Sequence, residues 1–218
     1  ANHQRRQQLV HRMSYTPGMT ATTGGAVPTP PNDPNQVLRG DGTWGYVRLF
    51  SQYAQKMVTN TTTKTSLFGT GDGSPIVPAN YFNGLGVMAN LIMMGSWSKS
   101  VGGALTLLIE CTDSGGTQEI HRKEFTNAQL GGGGSTAGHW EIRQLSTCYA
   151  TGATGTLFTH ASLTLLENNS AEILGVHSET SGVTVDLTGT IEFVVTAEWS
   201  VASTSLSIGS ANVILQAQ

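Results

Sequence analysis

The stretch TIEFVVTAEWSV, residues 190–201, alternates between polar and apolar side chains almost throughout, Val194 being the exception. One set of positions is apolar and consists of Ile191, Phe193, Val195, Ala197, Trp199 and Val201. The positions between them carry Thr190, Glu192, Thr196, Glu198 and Ser200. Because successive side chains of a strand point to opposite faces, this period of two predicts a long β-strand with one buried face.

Other segments carry the same signal. Long strands are predicted in ALTLLIECT (104–112), HWEIRQLSTCYA (139–150), TGTLFTHASLTLLEN (154–168) and SLSIGSANVILQAQ (205–218). In the last of these the apolar positions change parity, which predicts a β-bulge near Gly209. Shorter strands are expected in AEILGVH (171–177) and GVTVDLTG (182–189), and from Met57 onward.

Turn-forming residues separate these segments. Gly, Asn, Asp and Ser cluster in GTGDGSP (69–75), DSGGT (113–117), LGGGGSTAG (130–138), ENNSA (167–171) and TSG (180–182). The connections are too short for the helices of βαβ units. We therefore predict an all-β fold of about eight to ten strands, arranged as an antiparallel β-sandwich or jelly roll. Its core is expected to contain Trp97, Trp140 and Trp199.

The composition narrows the class of protein. No apolar run approaches the roughly 20 residues of a membrane helix, and the polar N-terminus has no signal-like apolar core, so we expect neither membrane insertion nor export. Residues 1–56 carry six basic and two acidic side chains, a net charge of +4, while residues 57–218 carry five basic and twelve acidic ones, a net charge of −7. The weakly acidic remainder argues against nucleic-acid binding.

Candidates for chemistry are few. Cys111 and Cys148 lie in apolar or alternating segments, so two buried thiols are a better interpretation than a disulfide, although strand neighbours can bring them together. No nucleophile motif, paired carboxylates or metal-ligand spacing is present, and we expect no enzyme activity and no cofactor. Trp140 and Tyr149 are the aromatic residues that sugar stacking would use, but core packing is the prediction for each.

The N-terminal quarter differs from the rest. Residues 1–31 are predicted to be an extended arm, and residues 32–56 a short linker, because five of the seven prolines lie between residues 16 and 45. A short helix fits Gln4 to Met13. Residues 46 to about 65 are ambiguous, because YVRLFSQYAQKMV (46–58) fits a helical face whereas MVTNTTTKTSLF (57–68) is typical of a strand, and a strand is favoured from Met57 onward. The head is predicted to cover residues 57–218.

The linker contains VLRGDGTWG, residues 37–45. Its Arg39-Gly40-Asp41 tripeptide is known from ligands of adhesion receptors. A three-residue match is common by chance, however, and Leu38 and Trp44 bracket a polar turn in which glycine permits a tight reversal. We predict a hairpin with two apolar anchors, in which Leu38 and Trp44 form a stalk junction, and not a receptor ligand.

These phrases carry a resemblance. The LRGDGTW segment resembles the junction that precedes the shaft or head in bacteriophage fibre and spike proteins, both of the tail and of the head. SLFGTGDGSPIVPANYF (66–82), TGATG (151–155) and NVIL (212–215) resemble phrases of the β-sandwich heads of such proteins. The resemblance covers residues 32–218.

The resemblance implies a virion protein with a trimeric jelly-roll head. Residues 1–31 would dock on another virion protein of the capsid, tail or baseplate, using Arg5, Arg6, Leu9, Val10 and Arg12. The short stalk favours a compact spike, a head fibre or a capsid-decorating trimer over a long tail fibre.

Two functions follow from this expectation. In the first, the head attaches the particle to a glycan or protein of the host surface through distal turns such as DSGGT, LGGGGSTAG and ENNSA. In the second, the chain decorates or cements the capsid through its N-terminal arm. Both place the protein in the virion, after assembly in the host cytoplasm.

Overall fold

The computed structural model describes residues 36–38, 44–46, 48–167 and 173–217, and every regular element in those ranges is a β-strand. The chain divides into two compact units, residues 1–46 and 47–218. In the first unit, β1 (Gln36–Leu38) and β2 (Trp44–Tyr46) pair antiparallel. Leu38 stands directly opposite Trp44 in this pair, so the predicted hairpin is confirmed.

The second unit is the head. Its strands are β3 (Phe50–Gln52), β4 (Lys56–Thr59), β5 (Thr65–Ser66), β6 (Gly71–Gly73), β7 (Ile76–Val77), β8 (Met88–Lys99), β9 (Leu105–Asp113), β10 (Gly116–Phe125), β11 (Thr136–Ala150), β12 (Gly155–Glu167), β13 (Ile173–Val185), β14 (Ile191–Trp199) and β15 (Leu206–Ala217). All pairings between them are antiparallel.

The strands form two sheets. The larger has eight strands in the order β13-β12-β11-β8-β15-β3-β6, with β4 also paired to β15. The smaller has five, in the order β10-β9-β14-β5, with β7 also paired to β14. Side chains of both sheets, among them Leu107 and Ile109 of β9 and Ile142 and Leu163 of the larger sheet, line one small cavity of about 10 Å³. The predicted antiparallel β-sandwich is therefore confirmed.

The head begins before the predicted boundary at residue 57. Leu49 and Phe50 are 3% and 4% exposed, and β3 pairs with both β15 and β6. From β5 to β7 the chain then crosses between the sheets, because β5 and β7 pair with β14 while β6 pairs with β3. Residues 48–56, predicted to be linker, thus belong to the sandwich.

Two local predictions meet different outcomes. β15 contains a register shift between Ser210 and Asn212, so the bulge predicted near Gly209 is confirmed. The turn predicted at residues 180–182 is wrong, because β13 runs unbroken through them and pairs with β12 from Gly155 to Leu166. The partner strand supplies a continuous ladder there, which overrides the local preference of Ser and Gly for turns.

Glycines and tryptophans interlock in the core. Trp97 of β8 faces Gly138 of β11, and Trp140 of β11 faces Gly95 of β8. Each indole spans its glycine, so that Trp97 Nε1 donates to the Leu166 carbonyl at 3.2 Å and Trp140 Nε1 to the Gly209 carbonyl at 3.1 Å.

The other core predictions are confirmed as well. Trp97, Trp140 and Trp199 are each 1% exposed. Cys111 and Cys148 are buried, free thiols. Burial, and then the charge of Asp113, raise the pKa of Cys111 to about 12, while burial raises the pKa of Cys148.

Candidate functional site

The sandwich has two ends that differ in their connections. At one, here called the proximal end, Leu49 donates its N–H to the Leu215 carbonyl at 2.8 Å, and the chain joins the sandwich there. The β9–β10, β11–β12 and β13–β14 connections lie at the same end. The opposite, distal end carries the connections of residues 100–104, 126–135 and 200–205, together with the facing strand ends Glu167 and Ile173.

The three turns expected to form one contact surface lie at both ends. DSGGT (113–117) joins β9 to β10 at the proximal end, whereas LGGGGSTAG (130–138) leads into β11 at the distal end. The grouping of these two turns is therefore wrong, because DSGGT follows the end of β9 on the proximal side, whereas LGGGGSTAG precedes the start of β11 on the distal side. ENNSA begins at Glu167 on the distal side, and its remaining residues lie outside the described residues.

A buried lysine anchors the distal loop of residues 126–135. Lys99 is 2% exposed and donates from Nζ to Asn127 Oδ1 at 2.7 Å and to the Gly132 carbonyl. Burial lowers its pKa. Asn127 Oδ1 also accepts from the Gly103 N–H at 3.1 Å, so the lysine, this loop and the β8–β9 connection are tied together.

The base of that loop is ordered and its tip is open. Leu130 is fully buried, and the Gly132 N–H donates to the Asn127 carbonyl at 2.8 Å. Gly131 and Gly132 take φ values of +82° and +68°, which disfavour any residue with a Cβ. Gly133 is exposed, and a Cβ added to it would meet no other atom within 4 Å. The tip therefore offers backbone donors and acceptors from a fixed base, which suits hydrogen bonding to a polar surface.

Sequence reasoning missed Lys99. The alternation of side chains along β8 could have identified it, because Lys99 lies on the same face of the strand as Leu91, Met93 and Trp97 and so points inward. A charged residue on the buried parity of a strand needs partners, and the neighbouring Gly-rich loop supplies them.

The proximal end is held by two aspartates. Asp113 Oδ2 accepts from the Asp186 N–H at 2.7 Å, and Asp186 Oδ2 accepts from Ser114 Oγ at 2.8 Å. Hydrogen bonds from the Thr188 hydroxyl, and then from Ser114, lower the pKa of Asp186. These contacts join the β9–β10 and β13–β14 turns to each other.

The two aromatic residues considered for sugar stacking differ in their exposure to solvent. Trp140 is buried as predicted, whereas the core packing expected of Tyr149 is wrong, because its side chain is 73% exposed. Tyr149 lies on the outward parity of β11, where an aromatic ring on a period-two strand meets solvent.

Of the predicted docking and junction residues, the structure describes two, Leu38 and Trp44. Arg5, Arg6, Leu9, Val10 and Arg12 lie outside the described residues, as do the short helix at Gln4 to Met13 and the tripeptide Arg39 to Asp41. Leu38 and Trp44 are brought together as opposite residues of the β1–β2 hairpin.

No three His, Cys, Asp or Glu side chains in the described ranges come together as metal ligands would. None of the elements in the same ranges is a helix able to cross a membrane. Comparison with protein-family models, curated proteins and solved structures gave no match.

Proposed function

We propose that this chain is a structural protein of a bacteriophage virion. It forms a short trimeric fibre or spike whose β-sandwich head attaches the particle to the surface of the host cell. Residues 1–31 dock the trimer on another virion protein, and Leu38 and Trp44 form the stalk junction between arm and head.

One observation carries the attachment role. The anchored loop of residues 126–135 projects at the end of the head opposite to Leu49, where the chain joins the sandwich. A head held through its N-terminal side therefore presents this loop outward. The LRGDGTW phrase and its hairpin support the placement in a fibre, since they resemble the junction of such proteins.

The mechanism is binding without a chemical step. The Gly-rich tip offers hydrogen-bonding backbone groups to a polar surface, and its base is fixed by Lys99, so little order is lost on contact. Single contacts of this kind are weak. Three heads per fibre and many fibres per particle raise the overall affinity by avidity.

The attachment role is tested by labelled full-length protein on a panel of bacterial cells. Gly133→Glu adds charge at the distal tip, where a side chain meets open space, and Ala153→Glu adds the same charge in the exposed β11–β12 turn at the proximal end. We expect Gly133→Glu to reduce cell binding at least tenfold and Ala153→Glu to leave it unchanged. Equal loss in both variants, or none in either, contradicts the role of the distal loop.

The same assay on purified particles that lack the protein separates attachment from decoration. Binding to particles that requires residues 1–31, together with binding to cells, supports the proposal. Binding to particles without any binding to cells assigns capsid decoration instead.

A further inference from the structure

The two sheets present very different faces to the outside. The outer face of the five-stranded sheet is charged, and several of its charged side chains form ion pairs. Lys64 Nζ lies 2.9 Å from Glu110 Oε1, and Arg122 lies 3.4 Å from Glu198 and 3.6 Å from Glu119. Such a surface is typical of a sheet in contact with water.

The outer face of the eight-stranded sheet carries few charges over its central strands β15, β8, β11 and β12, and large apolar side chains lie among its Ser, Thr, Asn, Gln and His residues. Met94 and Leu145 are each 37% exposed on this face, and Phe158 is 51% exposed. Ile92 and Ile214, both half-buried, are direct cross-strand partners between them. Large apolar side chains gathered on one outer face mark a surface that another molecule covers.

The two charged side chains on this face, Glu141 and Arg143, pair with each other. Glu141 and Arg143 are its only Asp, Glu, Lys or Arg residues at outward positions of the four described central strands, and Arg143 Nε donates to Glu141 Oε1. A second copy of the same face therefore meets no unpaired charge when water is removed. An acidic or basic partner would gain nothing from it.

The face also carries a recess towards its distal end. A cavity of about 440 Å³ opens between Met94, Ser96, His139 and Leu166, and its lining is mainly apolar. This volume is in the range of clefts that accept ligand-sized groups. The recess lies eight residues along β12 from Phe158, roughly 26 Å away, so the two are separate features of the face.

Its size fits a stable contact. Four strands spaced at about 4.8 Å, each about ten residues long at about 3.3 Å per residue, present roughly 600 Å² in projection. The accessible area of a side-chain surface exceeds its projection, and stable interfaces bury about 800 Å² per partner.

We infer that the outer face of the eight-stranded sheet is the contact surface between copies of this chain, with Leu145 and Phe158 as its main apolar contacts. The inference rests on the proposed homotrimer, and it assigns the subunit contact to this sheet face and the host contact to the distal loops. Subunit assembly and host binding then use different surfaces.

The first test is the mass of the full chain by light scattering over a range of concentrations. We expect three times the 23.0 kDa chain mass for the wild type. Leu145→Glu and Phe158→Glu should shift it to the mass of one chain, because a buried carboxylate on the contact face costs far more than an exposed one. Val201→Glu, an exposed aliphatic position 42% accessible in the β14–β15 connection, is the matched control and should remain trimeric.

The outcomes separate the two proposals. A wild-type trimer that persists in both face variants overturns the assignment of the face and leaves the trimer standing. A wild type that is monomeric at every concentration overturns both.

A thiol probe keeps the test open if the glutamate variants fail to fold. Ser162→Cys places a thiol on the outer face of β12, and Thr204→Cys places one in the exposed β14–β15 connection. The native cysteines are buried and do not compete. Maleimide should label Cys at 162 at least tenfold more slowly in the trimer than after dilution to monomer, and Cys at 204 equally in both. Equal labelling of both sites in the trimer contradicts the inference.

Discussion

Lys99 places an ammonium group beneath the distal loop, with Asn127 Oδ1 and the Gly132 carbonyl as acceptors. Both acceptors are neutral, so hydrogen bonds to neutral groups offset the burial of the charge. This is consistent with a lowered pKa, because burial disfavours the charged form. The lysine is thus a support for loop geometry.

Removal of this support should loosen the loop. In Lys99→Met the apolar stem is kept, but the Gly132 carbonyl loses its lysine donor and Asn127 Oδ1 keeps only the Gly103 N–H. A buried acceptor without a partner costs about 1–3 kcal/mol. We expect the free energy of unfolding to fall by about that amount and proteolysis between residues 126 and 135 to accelerate. Lys56→Met, at a partly exposed position in β4, serves as the control. Unchanged stability and cleavage in Lys99→Met would show that the lysine does not fix the loop.

Cys111 predicts a pH dependence of stability. Its folded pKa is raised to about 12 by burial and by Asp113, from an ordinary value of 9.0. The unfolded chain therefore loses its proton first, so the stabilisation is complete below about pH 9 and disappears as the pH rises towards 12. One proton corresponds to about 1.4 kcal/mol per pH unit in that window.

The measurement compares wild type with Cys111→Ala by denaturant unfolding between pH 8 and pH 11. The stability difference between them should shrink in this range, while other titrating groups cancel. Thiol reagents should also label the native protein slowly at pH 8 and label both cysteines at once when urea unfolds it. A constant difference, or rapid native labelling, would refute the raised pKa.

At the scale of the strands, the β8–β11 pair depends on two glycines. A Cβ at Gly95 would overlap the Gly209 carbonyl oxygen, and a Cβ at Gly138 would overlap the Leu166 carbonyl oxygen. These carbonyls are the ones that accept the indole N–H groups of Trp140 and Trp97. The glycines therefore let each tryptophan reach across a neighbouring strand to the next one, which ties together the four strands β15, β8, β11 and β12.

Alanine at either glycine should separate these strands. We expect Gly95→Ala and Gly138→Ala each to cost about 1–3 kcal/mol through overpacking, together with a loss of near-ultraviolet tryptophan signal. Gly102→Ala, whose added Cβ would meet only Asn127 atoms at 3.6 Å and beyond, is the matched change and should be close to neutral. Three equal effects in denaturant titrations would contradict the interlocked arrangement.

The sequence predicted strands well where the period-two pattern was complete. β14 runs from Ile191 to Trp199 within the stretch 190–201, and the parity change in β15 located its bulge. β13 was expected as two short strands, because Ser and Gly at residues 181 and 182 imitate a turn. The short strands β3, β5, β6 and β7 are two or three residues long, and pairing partners distant in the sequence create them.

The positions of the turns and of Tyr149 on the head were harder to predict, because they too depend on pairing between strands that are distant in the sequence. The sequence located the turns at residues 113–117 and 130–138, but their placement at opposite ends follows from the order of strands in each sheet. Tyr149 sits on the outward parity of β11, and only the register of β11 with its neighbours assigns that parity. Non-local pairing decides both questions.

At the scale of the whole molecule, the structure sets a boundary for the head that can be tested. Residues 47–218 should fold alone and unfold cooperatively, because they form one compact unit. A fragment of residues 57–218 lacks Leu49 and Phe50, whose burial contributes about 1.5–3 kcal/mol each, and should be less stable by about 3–6 kcal/mol.

Thermal and chemical unfolding of the two fragments, each compared with the full chain, measure this difference. Limited proteolysis of the full chain should leave a resistant fragment that begins near residue 47. Equal stability of both fragments would show that β3 is dispensable and would restore residue 57 as the start of the head.

The adjacency of β3 and β15 has a practical consequence for engineering. Since Leu49 hydrogen bonds to Leu215, the polypeptide enters and leaves the sandwich at one spot. The head is therefore a cassette that can be spliced into a surface turn of an unrelated carrier with short spacers on both sides. Its ends can equally be joined and the ring reopened at the exposed turn around Ala153, which yields a circular permutant with every ladder intact.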